Sequence, residues 1–148
     1  MTDFRQLSAQ LWASPQISPD DVATARAQGF TRIVNNRPDD EDHGQPSGAA
    51  IESAARAAGM GYCTIPISHG GFSADQVEAM AAVLREDGQV LAYCRSGTRS
   101  TLLWALARAS LGDDPVQLAQ AAAAAGYDLA PIAPALTMLS TRAKPPAQ

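Results

Sequence analysis

Three features are scarce in this sequence: aromatic side chains, cysteines and long apolar runs. Aromatic residues make up 5% of the 148 residues and hydrophobic residues 46%, so aliphatic side chains must fill most of the core. Two cysteines are too few for a disulfide scaffold. No run approaches the roughly 18 apolar residues of a membrane span, and no basic segment followed by an apolar run opens the chain. We therefore expect a soluble, cytoplasmic protein with no membrane partner, in which both cysteines are thiols.

The charge balance and the length narrow the class of protein further. The chain has 11 Lys and Arg against 15 Asp and Glu, and no basic stripe, which argues against nucleic-acid binding. The two histidines and two cysteines lie at scattered positions without a metal-ligand spacing, and we expect neither a metal nor a cofactor. A length of 148 residues predicts one domain over residues 1–148, with a flexible tail at 143–148.

Helix and strand signals alternate along the chain. Ser18 before Pro19 predicts a helix start, because serine caps backbone donors and proline needs no partner for its nitrogen. Ser73 and Gln76 have the spacing of a capping box. A weak hairpin signal covers 4–13, strands are predicted at 30–34, 61–67 and 89–93, and helices at 18–29, 49–58, 73–87, 101–111, 115–125 and 131–142. This alternation predicts a three-layer α/β domain (αβα) with a mainly parallel central sheet, since parallel neighbours need helical crossovers.

The segment from Cys94 to Ser100 carries the strongest chemical signal. Cys94 stands at the carboxyl end of a predicted strand, where parallel sheets bind ligands. The small residues and the helix after it let backbone N–H groups converge on an anion, and they favour the thiolate, the reactive form of cysteine. We expect Arg99 to clamp an oxyanion over Cys94, and Ser100 to donate a hydrogen bond to the sulfur. The other expected substrate-binding residues of this segment are Arg95, Ser96, Gly97 and Thr98. The alternative is a structural, buried cysteine in an ordinary strand-to-helix turn.

Two further loops leave the same predicted sheet edge. The loop at 35–47 is long for so small a domain, and we expect Asn36 and Arg37 to line the pocket. Its carboxylates at 39–42 form either a solvated face or a group from which one acid reaches Cys94. His69, in the loop after the strand at 61–67, is either a partly exposed loop histidine or another candidate acid. We expect Cys63 to pack in the core, and the alternative is a resolving thiol.

Several segments together resemble known families. Cys94 to Ser100 resembles the active-site loop of rhodanese-type sulfurtransferases and of Cys-dependent phosphatases. Together with Pro15-Gln16-Ile17 and Ile33-Val34-Asn35-Asn36-Arg37-Pro38-Asp39, it resembles the phosphatase-like domain of the bacterial beta-lactamase-hydrolase-like family over residues 3–112. The resemblance implies the Cys-phosphatase-like fold of dual-specificity phosphatases. Members of the family are described as sulfur transferases or as phosphatases.

Two observations on the residues favour sulfur transfer over phosphate hydrolysis. Four residues separate Cys94 from Arg99, as in the rhodanese loop, whereas the phosphatase signature has one more. Ester hydrolysis needs an acid to protonate the leaving oxygen, while sulfite leaves thiosulfate without a proton. Residues 65–72 contain no carboxylate that could supply one.

We therefore predict a sulfurtransferase that acts through a persulfide on Cys94. The alternative is a dual-specificity-like phosphatase that acts through a phosphocysteine on Cys94, with His69 or a carboxylate of the 35–47 loop as the acid. A third possibility is a non-catalytic, anion-binding regulatory domain. In each case the expected partner is a small anion, namely thiosulfate, a persulfide or a phosphate ester, and the sequence indicates no particular protein partner.

Overall fold

The computed structural model describes residues 2–68 and 70–143. The strands in these ranges are Arg5–Gln6 (β1), Leu11–Ser14 (β2), Phe30–Asn35 (β3), Gly61–Thr64 (β4) and Gln89–Tyr93 (β5). The α-helices are Pro19–Ala27 (α1), Gly48–Ala57 (α2), Ala74–Leu84 (α3), Thr98–Ser110 (α4), Pro115–Ala124 (α5) and Ala133–Ala143 (α6). A 3₁₀-helix at Ala130–Ile132 precedes α6.

The strands form one sheet in the order β1-β2-β5-β3-β4. β1 and β2 are antiparallel, with Arg5 opposite Ala13, whereas β2 with β5, β5 with β3 and β3 with β4 are parallel. The predicted hairpin at 4–13 and the α/β class with a mainly parallel sheet are confirmed. Because the parallel strands share one direction, the chain segments that follow β2, β3, β4 and β5 leave the sheet at a common edge.

Short-range signals fix several helix starts. The Ser18 side chain accepts from the Asp21 N–H at 3.2 Å, while the Asp21 carboxylate accepts from the Ser18 N–H at 2.9 Å. Ser73 and Gln76 exchange the same pair of bonds at 3.2 and 2.8 Å. These reciprocal bonds satisfy backbone donors that the first helical turn leaves open, so α1 and α3 begin where the sequence predicts.

Two of the boundaries that differ from the prediction lie near the Cys94 loop. β4 ends at Thr64 instead of continuing to residue 67, because Pro66 has no N–H to donate. The N–H groups of Ile65 and Ile67 nevertheless donate to the carbonyls at 35 and 36, at 2.8 and 2.9 Å, so this segment stays beside the end of β3. α4 begins at Thr98 instead of 101, which places Arg99 and Ser100 in its first turn.

The described chain forms two compact units. The first contains the residues up to Gly71 together with Asp87–Ser100, and the second contains Phe72–Glu86 and the chain from Thr101 onward. In the first unit, α1 and α2 pack with the sheet around a core that includes Ile17, Val22, Phe30, Ile33, Ile51, Met60, Leu91 and Tyr93. The second unit buries Leu103, Trp104, Leu118 and Leu136.

A single domain over residues 1–148 remains a prediction. Of the predicted tail, Ala143 is the last residue of α6, and residues 144–148 lie outside the described ranges. Within 2–68 and 70–143, no helix is both long and apolar enough to cross a membrane.

Candidate active site

Cys94 directly follows β5 and is fully buried. Its N–H donates to the carbonyl of Ser14, at the end of β2, at 3.3 Å. The N–H of Gly97 donates to the Sγ atom of Cys94 at 3.1 Å. Gly97 has a φ of +91°, a left-handed conformation that glycine adopts without steric strain. The loop therefore curls back over the sulfur and directs a backbone donor at it.

The amino end of α4 adjoins this donor. Thr98, the first residue of the helix, follows Gly97 directly. The first turn of a helix has N–H groups without intrahelical partners and carries a partial positive charge. An anion held at Cys94 is therefore stabilised by the helix as well as by the Gly97 N–H.

The remaining predicted residues of the loop lie at its exposed rim. The Ser96 hydroxyl donates to the Thr98 Oγ1 atom at 3.1 Å, and both residues are exposed. The side chain of Arg95 is 68% exposed, and its Nε atom lies 3.2 Å from the Oδ2 atom of Asp42. The side chains of Arg95, Ser96 and Thr98 therefore lie at the surface of the loop and do not face the sulfur.

Arg99, which we expected to clamp a substrate oxyanion, is held by groups of the protein. Its Nη1 atom donates to Oε2 of Glu41 at 2.6 Å and to the carbonyl of Ile67 at 2.7 Å. Its Nη2 atom donates to Oε1 of Glu41 at 2.8 Å. The hydrogen bonds with Glu41 raise the pKa of Arg99, and an electrostatic interaction with Cys94 raises this pKa further. Arg99 therefore faces both the nucleophile candidate and a carboxylate.

Glu41 is the site residue that the sequence did not single out. The hydrogen bonds from Arg99, aided by those from Arg37, hold the pKa of the Glu41 carboxyl at about 2. Glu41 is therefore ionised at neutral pH and carries no proton to donate, which argues against its use as a general acid. The one sequence signal for Glu41 was its four-residue spacing from Arg37, which is typical of an ion pair. This signal is weak, because three other carboxylates lie in the same run at 39–42.

Arg37, which we expected to line the pocket, is held by groups of the protein. Its side chain is only 4% exposed. Its Nε and Nη2 atoms donate to Glu41 and Asp42 at 2.9 and 2.7 Å. Its Nη1 atom donates to Oε1 of Gln16 at 3.0 Å. Through these bonds Arg37 supports the 35–47 loop, and its expected contact with a substrate stays a prediction.

Ser100 and Asn36 bond to each other, which corrects two predictions. The Ser100 hydroxyl donates to Oδ1 of Asn36 at 2.7 Å, and a hydroxyl has only one proton, so Ser100 does not donate to the sulfur. The Asn36 amide group donates to the carbonyl of Ile65 at 3.0 Å. Both side chains are buried, and their role here is to hold loop segments together.

The two other candidates have different outcomes. His69 lies outside the described residues, and its role as an acid stays a prediction. Cys63 lies on β4, the last strand of the sheet, and is half-buried rather than packed in the core. In residues 2–68 and 70–143 there is no group of three His, Cys, Asp or Glu side chains placed to hold a metal ion.

Solved structures share this arrangement of strands and helices. A candidate phosphatase from Neisseria meningitidis is 32% identical, with a TM-score of 0.79 and coverage of 91% of this chain and 96% of that one. TpbA from P. aeruginosa, solved in complex with phosphotyrosine, is 18% identical, with a TM-score of 0.61 and coverage of 95% and 90%. The fold and the Cys94 loop therefore define an α/β protein of the Cys-phosphatase-like class.

The family follows from the greater part of the sequence. Residues 3–111 match the family described as the phosphatase-like domain of beta-lactamase hydrolase-like protein, and the chain belongs to this family. The beta-lactamase hydrolase-like protein of Agrobacterium fabrum is 41% identical over 90 residues, which are 60% of this chain and 21% of that protein. The chain spans about a fifth of the length of the curated relatives that it matches. The resemblance found in the sequence is thereby confirmed.

Proposed function

We propose that this chain is a Cys-dependent hydrolase that acts on small phosphate esters. The observation that carries the proposal is the buried Cys94 at the end of β5, with the Gly97 N–H 3.1 Å from its sulfur. The likeness to a candidate phosphatase at 32% identity supports phosphate chemistry, the alternative of the sequence analysis, over sulfur transfer.

The proposed reaction has two displacement steps. In the first, the Cys94 thiolate attacks phosphorus, an S–P bond forms, and the ester P–O bond breaks with its electron pair on the leaving oxygen. In the second, water attacks the phosphocysteine, the S–P bond breaks, and phosphate and the thiolate are released. The Gly97 N–H stabilises the Cys94 thiolate, which is the nucleophile of the first step and the leaving group of the second. The amino end of α4 stabilises the negative charge that collects on the phosphoryl oxygens.

The surroundings of Cys94 restrict the leaving group. Residues 65–71 contain no carboxylate, and the Glu41 carboxyl, with a pKa of about 2, holds no proton at neutral pH. Esters whose leaving oxygen is stable as an anion, such as aryl phosphates, need least help from an acid. The phosphotyrosine bound by TpbA is an ester of this class, which supports the choice of substrate. His69 is the candidate acid for less activated esters.

Sulfur transfer is the second candidate, and one specific observation favours it. Only four residues separate Cys94 from Arg99, one fewer than in the phosphatase signature and the same number as in the rhodanese loop. In this reaction the Cys94 thiolate attacks the outer sulfur of thiosulfate, the S–S bond breaks, and sulfite leaves with the electron pair. The persulfide on Cys94 then passes its sulfur to cyanide or a thiol, and neither step requires an acid at the site.

A paired assay separates these reactions. Wild-type protein, Cys94→Ser and the control Cys63→Ser receive either an aryl phosphate or thiosulfate with cyanide, and intact masses are recorded after brief exposure. We expect phosphate release by wild type and Cys63→Ser but not by Cys94→Ser. Thiocyanate formation with a mass gain of one sulfur on Cys94 would overturn the phosphatase proposal in favour of sulfur transfer. No Cys94-dependent turnover in either assay would favour a non-catalytic anion-binding domain.

A further inference from the structure

One carboxylate lies between two arginines of the first unit. Oε1 of Glu41 accepts from Nε of Arg37 at 2.9 Å and from Nη2 of Arg99 at 2.8 Å, and its Oε2 accepts from Nη1 of Arg99 at 2.6 Å. The Glu41 side chain is 17% exposed and that of Arg99 is 14% exposed. The contact between Glu41 and Arg99 is therefore bidentate and partly buried. A bidentate contact fixes the plane of a guanidinium group far better than a single hydrogen bond does.

The N–H donors of Arg99 show which edge of its guanidinium group is bound by other residues of the protein. An arginine has five side-chain N–H bonds, two on each Nη atom and one on Nε. Both N–H bonds of Nη1 are engaged, by Glu41 and by the carbonyl of Ile67, and one N–H of Nη2 is engaged by Glu41. Among the described residues, no nitrogen or oxygen acceptor engages the Nε–H or the second Nη2–H. These two bonds lie along one edge and have the parallel geometry that grips two oxygens of an oxyanion.

Glu41 is itself fixed by contacts with other residues. Arg37 is 4% exposed and bonds to Gln16 and Asp42 as well as to Glu41. The N–H of Glu41 also donates to Oε1 of Gln45 at 3.1 Å, which anchors its backbone. A carboxylate fixed in this way cannot follow Arg99 if the arginine rotates, so the arginine is confined to one orientation.

We propose that Glu41 is a positioning residue, which holds Arg99 so that its Nε–Nη2 edge meets an oxyanion bound at Cys94. Arg99 interacts with Cys94 both electrostatically and through a side-chain hydrogen bond, so the arginine lies beside the thiol. The proposal rests on the proposed function in one respect, that an oxyanion binds at Cys94, and it holds for a phosphoryl group and for the sulfonate of thiosulfate alike. Glu41 is not a catalytic residue in this account, because it acts on the substrate only through Arg99.

The opposite role for Glu41 makes a different prediction. If its carboxylate merely occupied the place of the substrate oxyanion, removal of its charge would release Arg99 and strengthen anion binding. If Glu41 positions Arg99, removal weakens anion binding, because a freely rotating guanidinium group loses conformational entropy on binding.

The test measures binding and not only turnover. Tungstate, a phosphate-shaped dianion, is titrated calorimetrically into Cys94→Ser protein that also carries Glu41→Gln, Glu41→Asp or the control Asp40→Asn. Asp40 is an exposed neighbour with a φ of +63°, which asparagine tolerates, so this control removes a charge from the same loop without removing a contact to Arg99. We expect Glu41→Gln to weaken tungstate binding about tenfold and, in protein that keeps Cys94, to lower kcat/KM for the aryl phosphate about 100-fold. Asp40→Asn should change either quantity by less than about twofold.

A second measurement detects the orientation itself. In ¹⁵N-labelled protein, hydrogen exchange at Nε of Arg99 should become about tenfold faster in Glu41→Gln and stay unchanged in Asp40→Asn. When Arg99 is replaced by lysine, which has no planar fork to orient, Glu41→Gln should change tungstate affinity by less than about twofold. A loss that persists in the Arg99→Lys background would overturn the positioning role.

The remaining outcomes separate this proposal from the proposed reaction. Tungstate binding that depends on Glu41, in a protein that turns over neither substrate, would remove the reaction and keep the positioning role. Turnover by wild type with unchanged or tighter tungstate binding in Glu41→Gln would keep the reaction and overturn the positioning role. If Glu41→Gln does not fold, Glu41→Asp decides, because it keeps the charge but withdraws the carboxylate by one methylene: binding as tight as in Asp40→Asn overturns the proposal.

Discussion

The Ser100 hydroxyl donates its proton to Oδ1 of Asn36 at 2.7 Å, across 64 positions of the sequence. Asn36 makes a second hydrogen bond, in which its amide group donates to the carbonyl of Ile65 at 3.0 Å. The first turn of α4 is therefore tied to the chain after β3 and to the chain after β4. Because the N–H of Cys94 bonds to Ser14, the Cys94 loop is fixed at both of its ends.

Ser100→Ala should destabilise the protein. The substitution leaves the buried Oδ1 atom of Asn36 without its donor, which should lower the free energy of unfolding by about 1–3 kcal/mol. Ser53→Ala, on the exposed side of α2, is the control and should change it by less than about 0.5 kcal/mol. Urea denaturation measures both. Equal stabilities of the two variants would contradict the stabilising role of the Ser100–Asn36 hydrogen bond.

Arg37→Lys should be far less tolerated than the same exchange at the surface. Arg37 is 4% exposed and serves three acceptors with a planar fork that lysine lacks, so we expect a loss on the order of 2 kcal/mol. Arg56→Lys replaces a 62% exposed partner of Glu52 and should cost less than about 0.5 kcal/mol. Thermal unfolding of both variants checks this difference. A small loss at Arg37 would contradict its role as the support of the 35–47 loop.

Acid should destabilise wild type through Glu41. The carboxyl of Glu41 has a folded-state pKa of about 2 against an ordinary value of 4.5, so the unfolded chain takes up the proton at a higher pH than the native protein does. Stability from this group is therefore complete above pH 4.5 and is lost as the pH falls towards 2. Between about pH 5 and about pH 3, wild type should lose more free energy of unfolding than Glu41→Gln does. Parallel profiles in urea denaturation at constant ionic strength would contradict the low pKa.

Gly97→Ala should remove activity as well as stability. A φ of +91° strains any residue with a Cβ atom, so the loop must either store about 1–2 kcal/mol or turn its N–H away from Cys94. Gly59→Ala imposes similar strain at a φ of +75°, just before β4 and hence at the opposite edge of the sheet. Both variants should lose stability, but only Gly97→Ala should lose turnover of the aryl phosphate. Activity retained in Gly97→Ala would show that the Gly97 N–H is dispensable.

Local patterns predicted most of the architecture. The capping residues Ser18 and Ser73 act within four positions, and an apolar run bounded by Gly88 and Cys94 gave the limits of β5. Signals of this range are visible in the sequence because the interacting groups are neighbours in the chain. Cys94 was found for the same reason, since its strand, loop and helix are consecutive.

The contacts that organise the site lie beyond such patterns. Glu41 and Arg99 are 58 positions apart, and four acidic residues at 39–42 compete for the same role in the sequence. Only the fold shows which carboxylate meets Arg99. Ser100 was wrongly assigned to the sulfur because a hydroxyl in a first helical turn has several acceptors within reach, and its choice of Asn36 depends on the pairing of β3 with β5.

The burial of Cys94 has a practical consequence for labelling. A bulky maleimide should react more slowly with Cys94, which is buried, than with Cys63, which is half-buried on the outermost strand β4. Peptide mapping after brief labelling should therefore find the dye on Cys63 first, and labelling of Cys94 first would contradict its burial. The native sequence thus carries its own attachment point for a fluorescent reporter, which leaves the reactive thiol unmodified while turnover is followed.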